Sequence, residues 1–153
     1  MEPVGAAGRT FQEQFIEVLK DFSEMIGQQL VPDDETGTVS FLVDSEVLIN
    51  LRYLDDSDYL LIFSPVGAFG ELTEPDAGAK ATALLKLTDI SSACGEVTLA
   101  LDEDAELVLA MDRRSALTIA STDALAAWIE MLVQAVRDVR EHFAVNFPVS
   151  GDE

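Results

Sequence analysis

Along the chain, apolar positions first recur at spacings of three and four. Phe11, Phe15, Leu19, Phe22, Ile26 and Leu30 fall on one face of a helix, and Ile16, Val18 and Met25 widen the stripe. Thr10-Phe11-Gln12-Glu13 supplies a start signal, a capping box in which the hydroxyl accepts from an early backbone N–H and the glutamate reaches back to the cap. Pro32 and the pair Asp33-Asp34 close the pattern, which predicts a first helix over about residues 10–30. The period then drops to two. Val39, Phe41 and Val43 alternate with Ser40 and Leu42; after a tight turn at Asp44-Ser45, Val47, Ile49, Leu51 and Tyr53 alternate around Asn50 and Arg52. A second acidic turn, Asp55-Asp56-Ser57-Asp58, leads into Tyr59-Leu60-Leu61-Ile62-Phe63, a run short and aromatic enough for a central strand buried on both faces. Pro65, Gly67 and Gly70 end it. A three-stranded antiparallel meander is expected.

Thr73-Glu74-Pro75-Asp76 opens a second helix, with a hydroxyl cap, an early proline and an acid in the first turn. Ala77, Ala81, Leu84, Leu85 and Leu87 give it small residues in front and leucines behind, and it is expected to end near Ile90. Gly95 precedes Val97-Thr98-Leu99-Ala100-Leu101, and a turn at Asp102-Glu103-Asp104 precedes Leu107-Val108-Leu109-Ala110-Met111, which together predict a second hairpin. From Ser121 or Thr122, Leu125, Trp128, Ile129, Leu132, Val136, Val139 and Phe143 mark a last helix of about 20 residues, roughly 30 Å long. The order helix, three strands, helix, two strands, helix predicts an α+β fold, with one twisted antiparallel sheet packed against helices. Residues 1–9 read as a loose N-terminal arm, 10–145 as a single domain and 146–153 as an acidic tail.

Charge narrows the partners. The 153 residues hold 29 Asp+Glu against 9 Lys+Arg, a formal net charge of −20, which repels nucleic-acid phosphates and anionic lipid headgroups. Neither is an expected partner. Forty-eight per cent hydrophobic residues and a mean hydropathy of +0.20 set the chain apart from disordered compositions, so the acid belongs on a folded surface. The single cysteine, Cys94, cannot close an internal disulfide, the start does not resemble a signal peptide, and no window reaches the roughly 18 apolar residues of a membrane span. The expected setting is the cytoplasm.

Candidate chemistry is sparse. The lone His142 lies near the end of the last helix, where the helix dipole favours a partly charged imidazole, and it reads as a surface or edge residue. One His and one Cys cannot build a zinc site of nitrogen and sulfur ligands. The acidic runs at 33–35, 55–58 and 102–104 lack the alternating oxygen donors, central glycine and distant glutamate of a calcium loop and read as turn formers. Gly67-Ala68-Phe69-Gly70 has no following lysine or helix start, so it reads as a turn and not as a phosphate cradle. No metal, cofactor or catalytic residue is expected. Arg113-Arg114, Arg137 and Arg140 read as element-end charges that meet acidic neighbours or orient an acidic patch of a partner.

The apolar supply exceeds what one core of this size absorbs, which points to a dimer interface or to a groove for another chain. The meander FLVDSEVLINLRYLDDSDYLLIFSPVGAF, the leucine-rich ALLKL, the hairpin GEVTLALDEDAELVLAM and the closing ALAAWIEMLVQAVRDVREHF together resemble the class I type III secretion chaperones, the Tir chaperone-like family, over about residues 10–145. The most specific part is L-x-L-D-x-x-x-x-L-x-L, here Leu99, Leu101, Asp102, Leu107 and Leu109.

That resemblance implies a homodimeric, ATP-independent chaperone, not an enzyme, which holds the N-terminal segment of a secreted effector in extended form. It places effector binding at Phe11, Phe15, Leu19, Phe41 and Val43, and the dimer interface at Leu84, Leu87, Val97 and Leu99. The physics is compatible, because an extended peptide can add a strand to an open sheet edge and seat alternate side chains in apolar grooves. Two other readings stay open: a regulatory or adaptor protein on the same fold without a secreted client, and a small enzyme. A dimer would carry about −40, enough repulsion to keep apolar grooves of different copies apart.

Overall fold

A computed structural model describes residues 10–54, 56–89 and 96–148. The arm expected at 1–9, the tail from 149 to 153, the helix end expected near Ile90, and Asp55, Cys94 and Gly95 lie outside the described residues. Helix α1 (Phe11–Ile26) starts at the expected capping box: Glu13 N–H donates to Thr10 Oγ1 and Thr10 N–H to Glu13 Oε1, both at 3.0 Å. It stops four residues before Leu30. Gly27 adopts a left-handed conformation (φ 72°) and its N–H closes on the carbonyls of Ser23 and Glu24, an ending that a residue without Cβ reaches at little cost.

Strands β1 (Val39–Val43), β2 (Val47–Leu54) and β3 (Tyr59–Ala68) form the expected meander. β3 runs past Phe63 and through Pro65, where the sequence predicted its end. A bulge between Pro65 and Gly67 shifts the register against the neighbouring strand, and such an irregularity is where a strand tolerates a residue that has no N–H to donate. Gly67 and Ala68 therefore finish a strand, while Gly70 (φ 92°) supplies the turn.

Helix α2 (Ala77–Leu87) begins later than Thr73. Asp76 stands at its N-cap with no side-chain hydrogen bond to the first turn. The second hairpin follows as β4 (Thr98–Asp102) and β5 (Leu107–Ser115), then a 3-10 turn at Ala116–Thr118 and helix α3 (Thr122–Asn146). At 25 residues α3 is longer than expected, and Ser121 Oγ caps it by accepting from Ala124 N–H at 3.1 Å.

The five strands form one antiparallel sheet in the order β1-β2-β3-β5-β4. Because side chains alternate across a strand, Phe41, Ile49, Leu51, Leu60, Ile62, Val108 and Ala110 share one face and are all buried. α3 lies over that face with Leu125, Trp128, Leu132, Val133, Val136 and Val139, and α1 packs beside it with Phe15, Val18, Leu19 and Phe22. The opposite face is different: Leu61, Phe63 and Pro65 of β3 are only half-buried. The expectation that β3 is covered on both faces is therefore corrected. Both long helices bring wide apolar stripes to the same side of the sheet.

Polar contacts fix α3 on the sheet. Arg140 donates to three carbonyls, from Nε to Val66 at 2.7 Å, from Nη1 to Glu46 at 3.1 Å and from Nη2 to Pro65 at 3.3 Å, so it holds the bulge and the first hairpin turn together. One turn earlier, Arg137 pairs with Asp44 and with Glu46, and the hydrogen bond to Asp44 raises its pKa above the ordinary arginine value. On the inner face Asp112 accepts from Trp128 Nε1 at 2.8 Å and from Arg114 Nε at 3.1 Å, so the one tryptophan of the core has its indole N–H satisfied. These arginines meet acids and carbonyls of their own chain, as element-end charges were expected to.

Candidate partner-binding surfaces

An open sheet has two edges, and here they are β1 and β4. Edge strands carry N–H and C=O groups that no neighbouring strand satisfies. On β1, Gln28 Nε2 from the segment after α1 donates to the Leu42 carbonyl at 3.5 Å, a side-chain amide standing where the N–H of an added strand would stand. Asp33 shapes the connection that leads into this edge: its Oδ2 accepts from the N–H groups of Thr36 and Glu35 and from the Thr36 hydroxyl, and those bonds lower its pKa below the ordinary carboxyl value.

The residues predicted for effector binding divide into two groups. Phe15, Leu19 and Phe41 are buried between α1 and the sheet, and the rings of Phe22 and Phe41 lie 5.8 Å apart. Phe11, at the start of α1, is exposed, and Val43, at the end of β1, is half-buried. The three buried side chains belong to the core between α1 and the sheet, and only the two others reach solvent. The larger exposed apolar surface comes from residues not singled out in the sequence: Ile16 (56 % exposed) and Met25 on α1, and Leu42 (49 %) with Leu48 on the sheet. A signal existed for Leu42 and Leu48, since both occupy the outward phase of an alternating strand, where a polar side chain is the norm.

At the other edge, α2 lies beside β4 and buries only Ala77 and Leu84. Between α2 and β4 is an open hollow of about 760 Å³, whose apolar lining includes Phe69, Leu72, Leu84, Leu85, Val97, Leu99 and Leu101. Three of the residues predicted for the dimer, Leu84, Val97 and Leu99, thus share one surface. Leu87 turns to the other side of α2, into a hollow of about 530 Å³ bounded by His142, Asn146 and Phe147. Leu85 (73 % exposed), Leu72 and Leu101 add solvent-facing apolar area that the sequence pattern did not assign to the dimer interface. The polar ties of α2 to the body include Lys80, whose Nζ donates to the Phe69 carbonyl at 2.9 Å and pairs with Asp76 at 3.5 Å.

Among the described residues, no group of three or more His, Cys, Asp or Glu side chains is placed to hold a metal ion, and no helix is long and apolar enough to cross a membrane. What this arrangement offers is adhesion: two edge strands that, among the described residues, have no strand on their outer side, each beside exposed apolar side chains, held on a core that α1 and α3 complete.

Comparison with known proteins extends the geometry. A model of the Tir chaperone protein (CesT) family matches residues 17–140, most of the chain and every helix and strand in part or whole. Curated proteins offer no match to the sequence. Among solved structures, the fold is similar to that of a chain in the HopA1–SchA chaperone–effector complex, at 22 % identity and a TM-score of 0.65, covering 84 % of this chain and 94 % of that one. It is similar also to a chain in the ExsC–ExsE complex, at 20 % identity and a TM-score of 0.66, covering 84 % and 92 %. A third likeness, at 18 % identity and a TM-score of 0.59, is to the Yersinia pestis type III secretion chaperone SycH in complex with a stable fragment of YscM2, covering 85 % and 99 %. At these identities the likeness establishes a shared fold.

Proposed function

We propose that this chain, which belongs to the Tir chaperone protein (CesT) family, is a type III secretion chaperone that binds the N-terminal segment of a secreted effector in extended form and keeps it soluble and ready for export. The single observation that carries this reading beyond family membership is the pair of edge strands, β1 and β4, that among the described residues have no outer strand neighbour and are each flanked by exposed apolar side chains. An extended segment gains backbone hydrogen bonds along β1 and places alternate side chains against Phe11, Ile16 and Val43, above the buried Phe15, Leu19 and Phe41. The other edge, with α2, serves a second copy. Leu84, Val97 and Leu99 line that hollow, and burying Leu85, Leu72 and Leu101 there contributes roughly 1.5–3 kcal/mol for each leucine fully removed from water.

The action needs no nucleotide and no catalysis, because preformed edges and grooves hold a segment by equilibrium binding alone. The setting is the bacterial cytoplasm, where an effector waits before export. Capture of the tagged chain from its own cells, followed by limited proteolysis, tests the reading. The expected result is one exported protein whose N-terminal segment alone is protected, bound to a species near twice 16.6 kDa by light scattering, with slowed hydrogen exchange at the β1 amides. A folded, globular partner without a protected segment favours the adaptor reading, and a monomer that protects nothing overturns the proposal.

A further inference from the structure

The outer face of the sheet bears a pattern that edge binding leaves unused. Leu42 stands opposite Leu48, Phe63 opposite Met111, and Pro65 opposite Leu109, so apolar side chains run across β1, β2, β3 and β5 on the side that α1 and α3 leave open. In the next row Arg52 stands opposite Leu61 and Leu61 opposite Arg113. Both arginines are exposed. The other described arginines are engaged: Arg114 with Asp112, Arg137 with Asp44 and Glu46, and Arg140 with three carbonyls. Arg52 and Arg113 have no carboxylate partner among the described residues, and the contact recorded for Arg113 is the Tyr59 ring, 5.1 Å from its guanidinium carbon. On a chain of net charge −20, Arg52 and Arg113 thus bring two exposed cations, without a carboxylate partner among the described residues, into one row beside an apolar band.

We propose that this face docks an amphipathic helix of the secreted client, with carboxylates at one end of the helix seated over Arg52 and Arg113; the inference rests on the chaperone reading above. The helical form follows from backbone accounting. N–H and C=O groups inside a sheet are already paired with neighbouring strands, so an extended segment lying on the face would lose water from its own backbone groups and find no partners. A helix satisfies its backbone internally and brings only side chains. The acid follows from charge complementarity, which sets partner choice and register more than bulk affinity.

Two labelled synthetic peptides of about 18 residues, roughly 27 Å of helix, serve as probes. Each has leucines at helical spacing; one ends in two glutamates and the other in two lysines. Fluorescence anisotropy at low salt is expected to give about tenfold tighter binding of the glutamate peptide, a preference lost or reversed in the R52E/R113E double variant, with methyl NMR shifts at Leu48, Leu61 and Leu109. Equal binding of both peptides, a preference unchanged by charge reversal, shifts confined to β1 or α2, or a change of mass showing that a second copy occupies the face, overturns the inference. The double variant is checked for native circular dichroism, and Leu61→Lys provides a second block of the same row should it misfold. The two failures are distinguishable. If the β1 amides remain protected by an effector segment while the charge preference is absent, the chaperone reading stands and the helical dock falls; if the charge preference is present but no exported segment protects β1, the chaperone reading falls and the client helix falls with it.

Discussion

α3 and α2 both carry leucines and alanines toward the same sheet, yet the chain finishes them to different degrees. α3 buries eight side chains, among them Trp128, Leu132 and Val136, and two arginines near its end fasten it to the first hairpin and the β3 bulge. α2 buries two, and has open hollows on both sides. The difference teaches where the chain's apolar supply goes. One helix finds its whole partner inside the chain; the other holds an apolar surface half-satisfied, as a helix does when part of its packing comes from another molecule.

Truncating α3 has the largest expected effect. Leu132→Ala should lower the unfolding free energy by about 2–5 kcal/mol, measured by urea or thermal denaturation, because the fully buried site between helix and sheet collapses only in part. A loss below about 1 kcal/mol would break the contrast by making α3 as loosely set as α2. Leu85→Asp comes next. On the exposed side of α2 it should change the unfolding free energy of a dilute monomer by no more than about 0.5 kcal/mol, yet weaken self-association about tenfold or more by sedimentation. Unchanged association would mean that the α2 hollow is not the interface. The smallest effect separates the two caps. Ser121→Ala removes a bond to the first turn of α3 and should cost about 1 kcal/mol, whereas Asp76→Ala, at a cap that makes no such bond, should cost less than about half as much.

The strongly periodic parts of this fold could be read directly. Thr10 and Glu13 announced α1, the alternation from Val39 to Tyr53 gave the first hairpin its faces, and the spacing of Leu125, Trp128, Leu132 and Val136 gave α3 its buried stripe. Boundaries failed where a local rule met a tertiary contact. Pro65 reads as the end of a strand, but a bulge absorbs its missing N–H and Arg140 takes its carbonyl. Thr73 reads as a cap, but the helix starts only at Ala77, where the chain, exposed from Glu71 to Asp76, returns to the core. The candidate surfaces were legible only in part, because Phe15, Leu19 and Phe41 look in sequence like any groove-lining residues while the fold turns them inward. Leu42, Leu48 and Leu85 carried the missing information, since each sits where burial cannot be supplied by the elements next to it in sequence.

The position of α3 as the last element in chain order has a consequence for biosynthesis. At roughly 5–20 residues per second, all five strands leave the ribosome seconds before α3 is complete. Until then Val47, Ile49, Leu51 and Ile62, all buried in the finished fold, lack the helix that covers them, and exposed apolar strands of this kind are where nascent chains aggregate. The acids of the strand-connecting turns, Asp44, Asp56, Asp58 and Asp102 to Asp104, are made before α3, and like charge flanking apolar strands opposes their association between chains.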